Sequence, residues 1–153
     1  MSEADIGKAI WILLWVLLVG VCAFALRRGG AAERMGATMI LAVAVIALII
    51  DALAPSNIQG VLHLVNDAAL ALGFLAIAIR YASLWLGAAM LFQSVQFSLH
   101  AYYFLGHRPA DQFYSNVNNI NTLGVLACVF AGTLITLRRV NARRRSTSSA
   151  ASA

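Results

Sequence analysis

The chain has 153 residues, of which 61% are hydrophobic and 11% charged, with a net charge of +5. A soluble domain carries about 45–50% apolar and about 25% charged residues, and one this short buries only about two-thirds of the surface its chain exposes, which argues against a soluble globule. The basic residues lie between apolar runs and at the C-terminus rather than along one polar face, so no nucleic-acid partner is expected.

A spanning helix needs about 20 predominantly apolar residues, and five stretches meet or approach that length. The first covers residues 9–26 and ends at Arg27-Arg28-Gly29-Gly30. Ala23-Phe24-Ala25 resembles a signal-peptide cleavage site, but Glu3 and Asp5 replace the positive leader such a segment needs. Its apolar run also exceeds the usual core of about 7–15 residues, so an uncleaved span is expected. Val21, not a small residue, precedes Cys22, which argues against a lipoprotein. Cys22 and Cys128 each lie inside an apolar run without C-x-x-C spacing, and read as small buried hydrophobes.

The second run covers 35–53 and stops before Pro55-Ser56-Asn57; the third covers 61–79. A polar turn, Arg80-Tyr81-Ala82-Ser83, leads into the fourth at 84–105, with Ser83 placed to cap it. Residues 106–119, including Pro109, form the longest connection, and the fifth run covers 120–137. Residues 143–153 pass from arginine into Ser, Thr and Ala without apolar periodicity, and predict a disordered tail. Residues 1–142 then form a single domain, an all-α polytopic membrane helical bundle of about five transmembrane helices.

Orientation follows from charge. With five spans and a cytoplasmic tail, nine of the 11 basic residues lie inside, and only Lys8 and Arg108 lie outside. That asymmetry is what the positive-inside rule expects. It puts the N-terminus outside and the C-terminus in the cytoplasm, where the tail arginines meet anionic lipid at about 1 kcal/mol each. Trp11, Trp15, Tyr102, Tyr103 and Tyr114 fall near one boundary, and Tyr81 and Trp85 near the other, as interfacial rings prefer. A bacterial inner membrane is the expected location.

Polar residues inside spans are costly and often functional. The second span ends at Asp51, the third carries His63, Asn66 and Asp67, and the fourth carries Gln93, Gln96 and His100; the fifth opens with Asn118, Asn119, Asn121 and Thr122. His63, Asn66 and Asp67 share one side of the third helix, and Gln93, Gln96, His100 and Tyr103 form a stripe along the fourth. At 1.5 Å per residue, Asp67 lies about 9 Å below the outer end of its helix, and His100 about 8 Å below the outer end of its own. A short turn makes the two helices antiparallel neighbours, so these side chains are able to meet. Asn121 opens the fifth helix at nearly that level, with His63 and Asp51 just above.

A buried carboxylate beside an imidazole forms a charged pair or shares a proton, the chemistry of a proton, cation or small-polar-ligand site opening outward. His63, Asp67 and His100 are also three ligands of types that zinc or iron accepts. A haem between His63 and His100 is a further alternative, although the two differ in depth by several ångströms, and no cofactor is expected. The simpler reading of the cluster is interhelical packing at about 0.6 kcal/mol per contact. Gly124, Cys128 and Gly132 recur every fourth residue on the fifth helix, and Ala69 and Gly73 do so on the third. Such faces pack a bundle or dock a membrane-protein partner or second copy. With no G-x-S-x-G, H-E-x-x-H or phosphate-binding loop, the sequence favours a small accessory or scaffold protein over an enzyme, with the Asp67–His100 site as the alternative.

Overall fold

The computed structural model describes residues 3–109 and 111–151. It contains five helices: α1 (Glu3–Arg28), α2 (Ala31–Leu53), α3 (Ser56–Tyr81), α4 (Leu84–Leu105) and α5 (Gln112–Ala151). Each helix packs on the next in chain order, and α5 returns to α1, which closes the ring; α2 also touches α5. Connections of a few residues force successive helices to alternate in direction. One end of the bundle therefore gathers Arg27, Arg28, Arg34 and Arg80 (the basic end). Asp51, His63, His100 and the 106–111 connection lie at the opposite end.

Four helices, α1, α2, α3 and α5, are long and apolar enough to cross a membrane. At 22 residues α4 has the length, but Gln93, Gln96 and His100 dilute its apolarity. Large apolar side chains face outward all around the bundle, among them Trp11, Leu72, Ile79 and Leu91. In water that surface would drive aggregation, whereas lipid covers it. The chain is built as an integral membrane protein.

Two local expectations are corrected. Helix α5 begins at Gln112, eight residues before the apolar run, because Asp111 caps it: Asp111 Oδ1 accepts the Tyr114 N–H at 2.8 Å. Helix α5 is described through Ala151, and residues 152–153 of the expected tail lie outside the described residues. Arginine and alanine are strong helix formers, and extending an existing helix needs no new nucleus. Finally, Ser83 stands at the cap of α4, but its side chain makes no cap bond. Its backbone carbonyl instead accepts from the Leu86 and Gly87 amides.

The glycine faces are filled from within. A Cβ on Gly132 would lie 2.5 Å from Trp85 Cδ1, and one on Gly124 would lie 2.5 Å from Phe92. On α3, Gly73 seats the Met39 side chain. These positions let α4 approach α5, and α2 approach α3. Gly132→Ala is expected to lose about 1–3 kcal/mol through overpacking, because Trp85 is hydrogen-bonded in place and cannot retreat. Gly20→Ala meets nothing within 4 Å and is expected to gain up to about 1 kcal/mol from helix propensity. Unfolding in mixed micelles measures both, and equal effects would remove the packing argument.

Candidate functional site

At the end opposite the basic one, all five helices border a cavity of about 380 Å³. Helix α1 gives Leu18, and α2 gives an apolar wall of Ile40, Val43, Ala44 and Ala47 that ends at Asp51. Helix α3 gives His63, Asn66, Asp67 and Leu70, and α4 gives Gln93, Gln96 and His100. Helix α5 closes it with Tyr114, Asn118, Asn121, Thr122, Val125 and Leu126. The lining is polar toward the opening and apolar beneath.

Asp67 and His100 meet, as their equal depth predicts. His100 Nδ1 is hydrogen-bonded to Asp67 Oδ2, with both side chains largely withdrawn from solvent. Gln93 Nε2 donates to the Asp67 backbone carbonyl at 3.4 Å. This ties α4 to α3 at Asp67 itself, with Gln93 about two turns along α4 from His100. Asn66, on the same face, donates to the Val43 carbonyl at 3.0 Å and is spent on holding α2. Asp51 and His63 form a separate pair at 2.8 Å, nearer the rim, with Asp51 61% exposed. The two histidines are thus each committed to a different carboxylate. Among the described residues no three His, Cys, Asp or Glu side chains converge as a metal site requires. The combination of His63, Asp67 and His100 is divided between two pairs.

Gln96 Nε2 donates to Asn118 Oδ1, linking α4 to α5. Three buried polar atoms around the cavity are left without a partner: Gln96 Oε1, His100 Nε2 and Asn121 Nδ2. Asn121 is 4% exposed. An unpartnered buried polar group costs about 1–3 kcal/mol, and all three of these residues line the same cavity. His100 also stacks on Tyr114, with ring centroids 5.4 Å apart. Tyr114 reads from sequence only as an interfacial ring, because residues 106–119 lie between the fourth and fifth apolar runs.

A second cavity of about 410 Å³ lies outside the first and shares His63, His100 and Tyr114 with it. His107 and Arg108 line this vestibule, and the Arg108 guanidinium sits 5.1 Å from the Tyr102 ring. Tyr103 donates its hydroxyl to Asp111 Oδ1 at 2.7 Å. That bond and the Tyr114 amide hold the Asp111 carboxyl below its ordinary range. Because the folded value is depressed, the contact is complete above the ordinary carboxylate range and is lost as pH falls through the folded value. The protection of the Tyr114 amide, measured as its exchange relative to the intrinsic rate at each pH, should therefore fall at acid pH in the wild type. In Asp111→Asn it should show no carboxylate titration.

On the inner side the cavity ends against packed apolar side chains. Phe74, Leu86, Ala89 and Val129 are each 0% exposed. Beyond this layer lies Glu33, a residue the sequence presents only as a charge beside Arg34. It is 4% exposed. Glu33 Oε1 accepts from Trp85 Nε1 at 3.0 Å and from the Thr136 hydroxyl at 3.2 Å, and Oε2 accepts from the Gly30 amide at 2.9 Å. The one sequence signal was a carboxylate three residues after a helix-starting glycine. Its three donors are satisfied, so it fastens α2, α4 and α5 and offers nothing to a ligand.

No protein-family model, curated protein or solved structure matches the chain.

Proposed function

We propose that the protein is a five-span membrane protein that binds a small polar ligand in the Asp67–His100 cavity. The carrying observation is the set of three unpartnered buried atoms, Gln96 Oε1, His100 Nε2 and Asn121 Nδ2, on one cavity. Its volume falls within the range of about 300–1,000 Å³ typical of small-molecule sites. The scaffold reading drew on glycine faces, and Gly73, Gly124 and Gly132 are occupied inside the bundle. The apolar layer beneath the cavity favours a site with one opening over a conducting path.

In this reading the basic end faces the cytoplasm of a bacterial inner membrane and the cavity opens outward, supported by the distribution of basic residues. Reporter fusions at the N-terminus, within residues 106–111 and at the C-terminus test it. A cytoplasmic signal from the 106–111 fusion overturns the orientation.

Binding is tested with Asn121→Leu. Leucine keeps the branched outline, fills slightly more of the cavity and removes the unpartnered amide, so ligand-free protein is expected to gain about 1 kcal/mol. A thermal-shift panel of small cationic, neutral and anionic compounds should include some that stabilise the wild type and not this variant. A panel with no wild-type-specific shift overturns the site.

A further inference from the structure

The polar half of the cavity carries enough chemistry to name the class of ligand, an inference that rests on the binding reading above. Its ionisable groups able to carry full charge are Asp51, Asp67, His63 and His100, with no lysine or arginine among the lining residues. With both imidazoles neutral the four sum to minus two, and with both protonated they sum to zero. In neither state is the lining positive. An anion would pass Arg108 in the vestibule but find no lysine or arginine in the cavity itself, and a buried charge without a partner is strongly disfavoured. A cation meets Asp67 directly.

An inorganic cation does not match the lining. It needs several oxygens or imidazoles converging on one point, and no three His, Cys, Asp or Glu side chains do so among the described residues. A bare ion would also leave the apolar half, including Val43, Leu70 and Val125, without contact in a cavity of about 380 Å³. The unpartnered atoms specify the rest. With its Nδ1–H given to Asp67, a neutral His100 presents Nε2 as an acceptor. Gln96 Oε1 is a second acceptor, whereas Asn121 Nδ2 is a donor. Two acceptors beside a carboxylate suit the N–H groups of an ammonium, and the Asn121 amide suits an oxygen on the same molecule.

We propose that the cavity takes an amine-bearing organic cation that also carries a hydroxyl or carbonyl oxygen and a compact apolar body. Ammonium, oxygen and apolar body then meet the Asp67 region, Asn121 and the α2 wall respectively. The vestibule supplies the way in, past Tyr114 and His63.

The test uses the full chain in detergent micelles and amino alcohols of increasing apolar size: ethanolamine, leucinol and phenylalaninol. The matched probes are 4-methylpentan-1-ol, which lacks the amine, and 4-methylpentanoate, which replaces the cation with an anion. Calorimetric titration is expected to rank leucinol or phenylalaninol above ethanolamine and at least tenfold above both matched probes. Asp67→Asn should weaken the amino alcohols at least tenfold, and Asn121→Leu should remove their advantage over plain amines of the same body. Wild-type-specific binding of the alcohol or the carboxylate, at least equal to the amino alcohols, overturns the cation assignment while leaving the site standing. Uptake of every probe equally by wild type and Asn121→Leu is partitioning into the micelle, and overturns both readings.

Discussion

Replacing Glu33 with alanine is expected to lower the stability of the bundle by about 3 kcal/mol, read as an earlier midpoint when denaturing detergent is titrated into mixed micelles. The carboxylate accepts from the Trp85 indole, the Thr136 hydroxyl and the Gly30 amide while 4% exposed. Alanine leaves three donors facing one void. Hydrogen bonds to a charged group contribute about 1.5–3 kcal/mol each, and an unsatisfied buried donor costs about 1–3 kcal/mol. The full sum is not expected, because the unfolded chain in lipid finds other partners, which holds measured interhelical bonds to about 0.6 kcal/mol on average. Glu33→Gln separates charge from shape. Its amide oxygen still accepts from Trp85 and Thr136, but its NH2 group then faces the Gly30 N–H, donor against donor. A loss of about half that of alanine is expected. If both variants unfold with the wild-type midpoint, Glu33 does not fasten α2 to α4 and α5.

The second large effect is on binding. Asp67→Asn is expected to leave stability within about 1 kcal/mol, because the asparagine oxygen still accepts the His100 Nδ1–H. The same change removes the charge a cation would meet. At about 4 Å and an effective dielectric near 20, two unit charges attract by about 4 kcal/mol, so a binding loss of ten- to several-hundredfold is expected by calorimetry. Asp51→Asn is the control. Asp51 is 61% exposed at the rim, where water screens the charge, and a change of less than about threefold is expected. Equal losses in the two variants would mean that overall negative charge, not the Asp67–His100 pair, governs affinity.

Much of the molecule was legible in the sequence because lipid imposes simple lengths. Apolar runs of about 20 residues and the turn residues between them located five helices, α4 at both ends, while α1, α2 and α3 begin six, four and five residues ahead of their runs and α5 extends past both ends of its own. Counting rise along antiparallel helices brought Asp67 level with His100. That inference needs only 1.5 Å per residue and a short connection. The start of α5 was missed because its first turns, Gln112 to Asn119, carry too little apolar character to mark a span. Asp111 was the available signal, as an N-cap residue.

The burial of Glu33, the pairing of His63 with Asp51 rather than with the deeper cluster, and the stacking of Tyr114 on His100 were not legible in this way. In a soluble helix the apolar stripe identifies the inward face. In a membrane helix both faces are apolar, since lipid is as hydrophobic as a protein core, and the rotation of each helix stays undetermined. The sequence by itself determined that this chain is a membrane bundle and which polar residues share a depth. Only the tertiary structure decided which of them face inward, because that depends on how five helices seat Trp85 on Gly132 and Phe92 on Gly124. The cavity is the space left when those contacts are made.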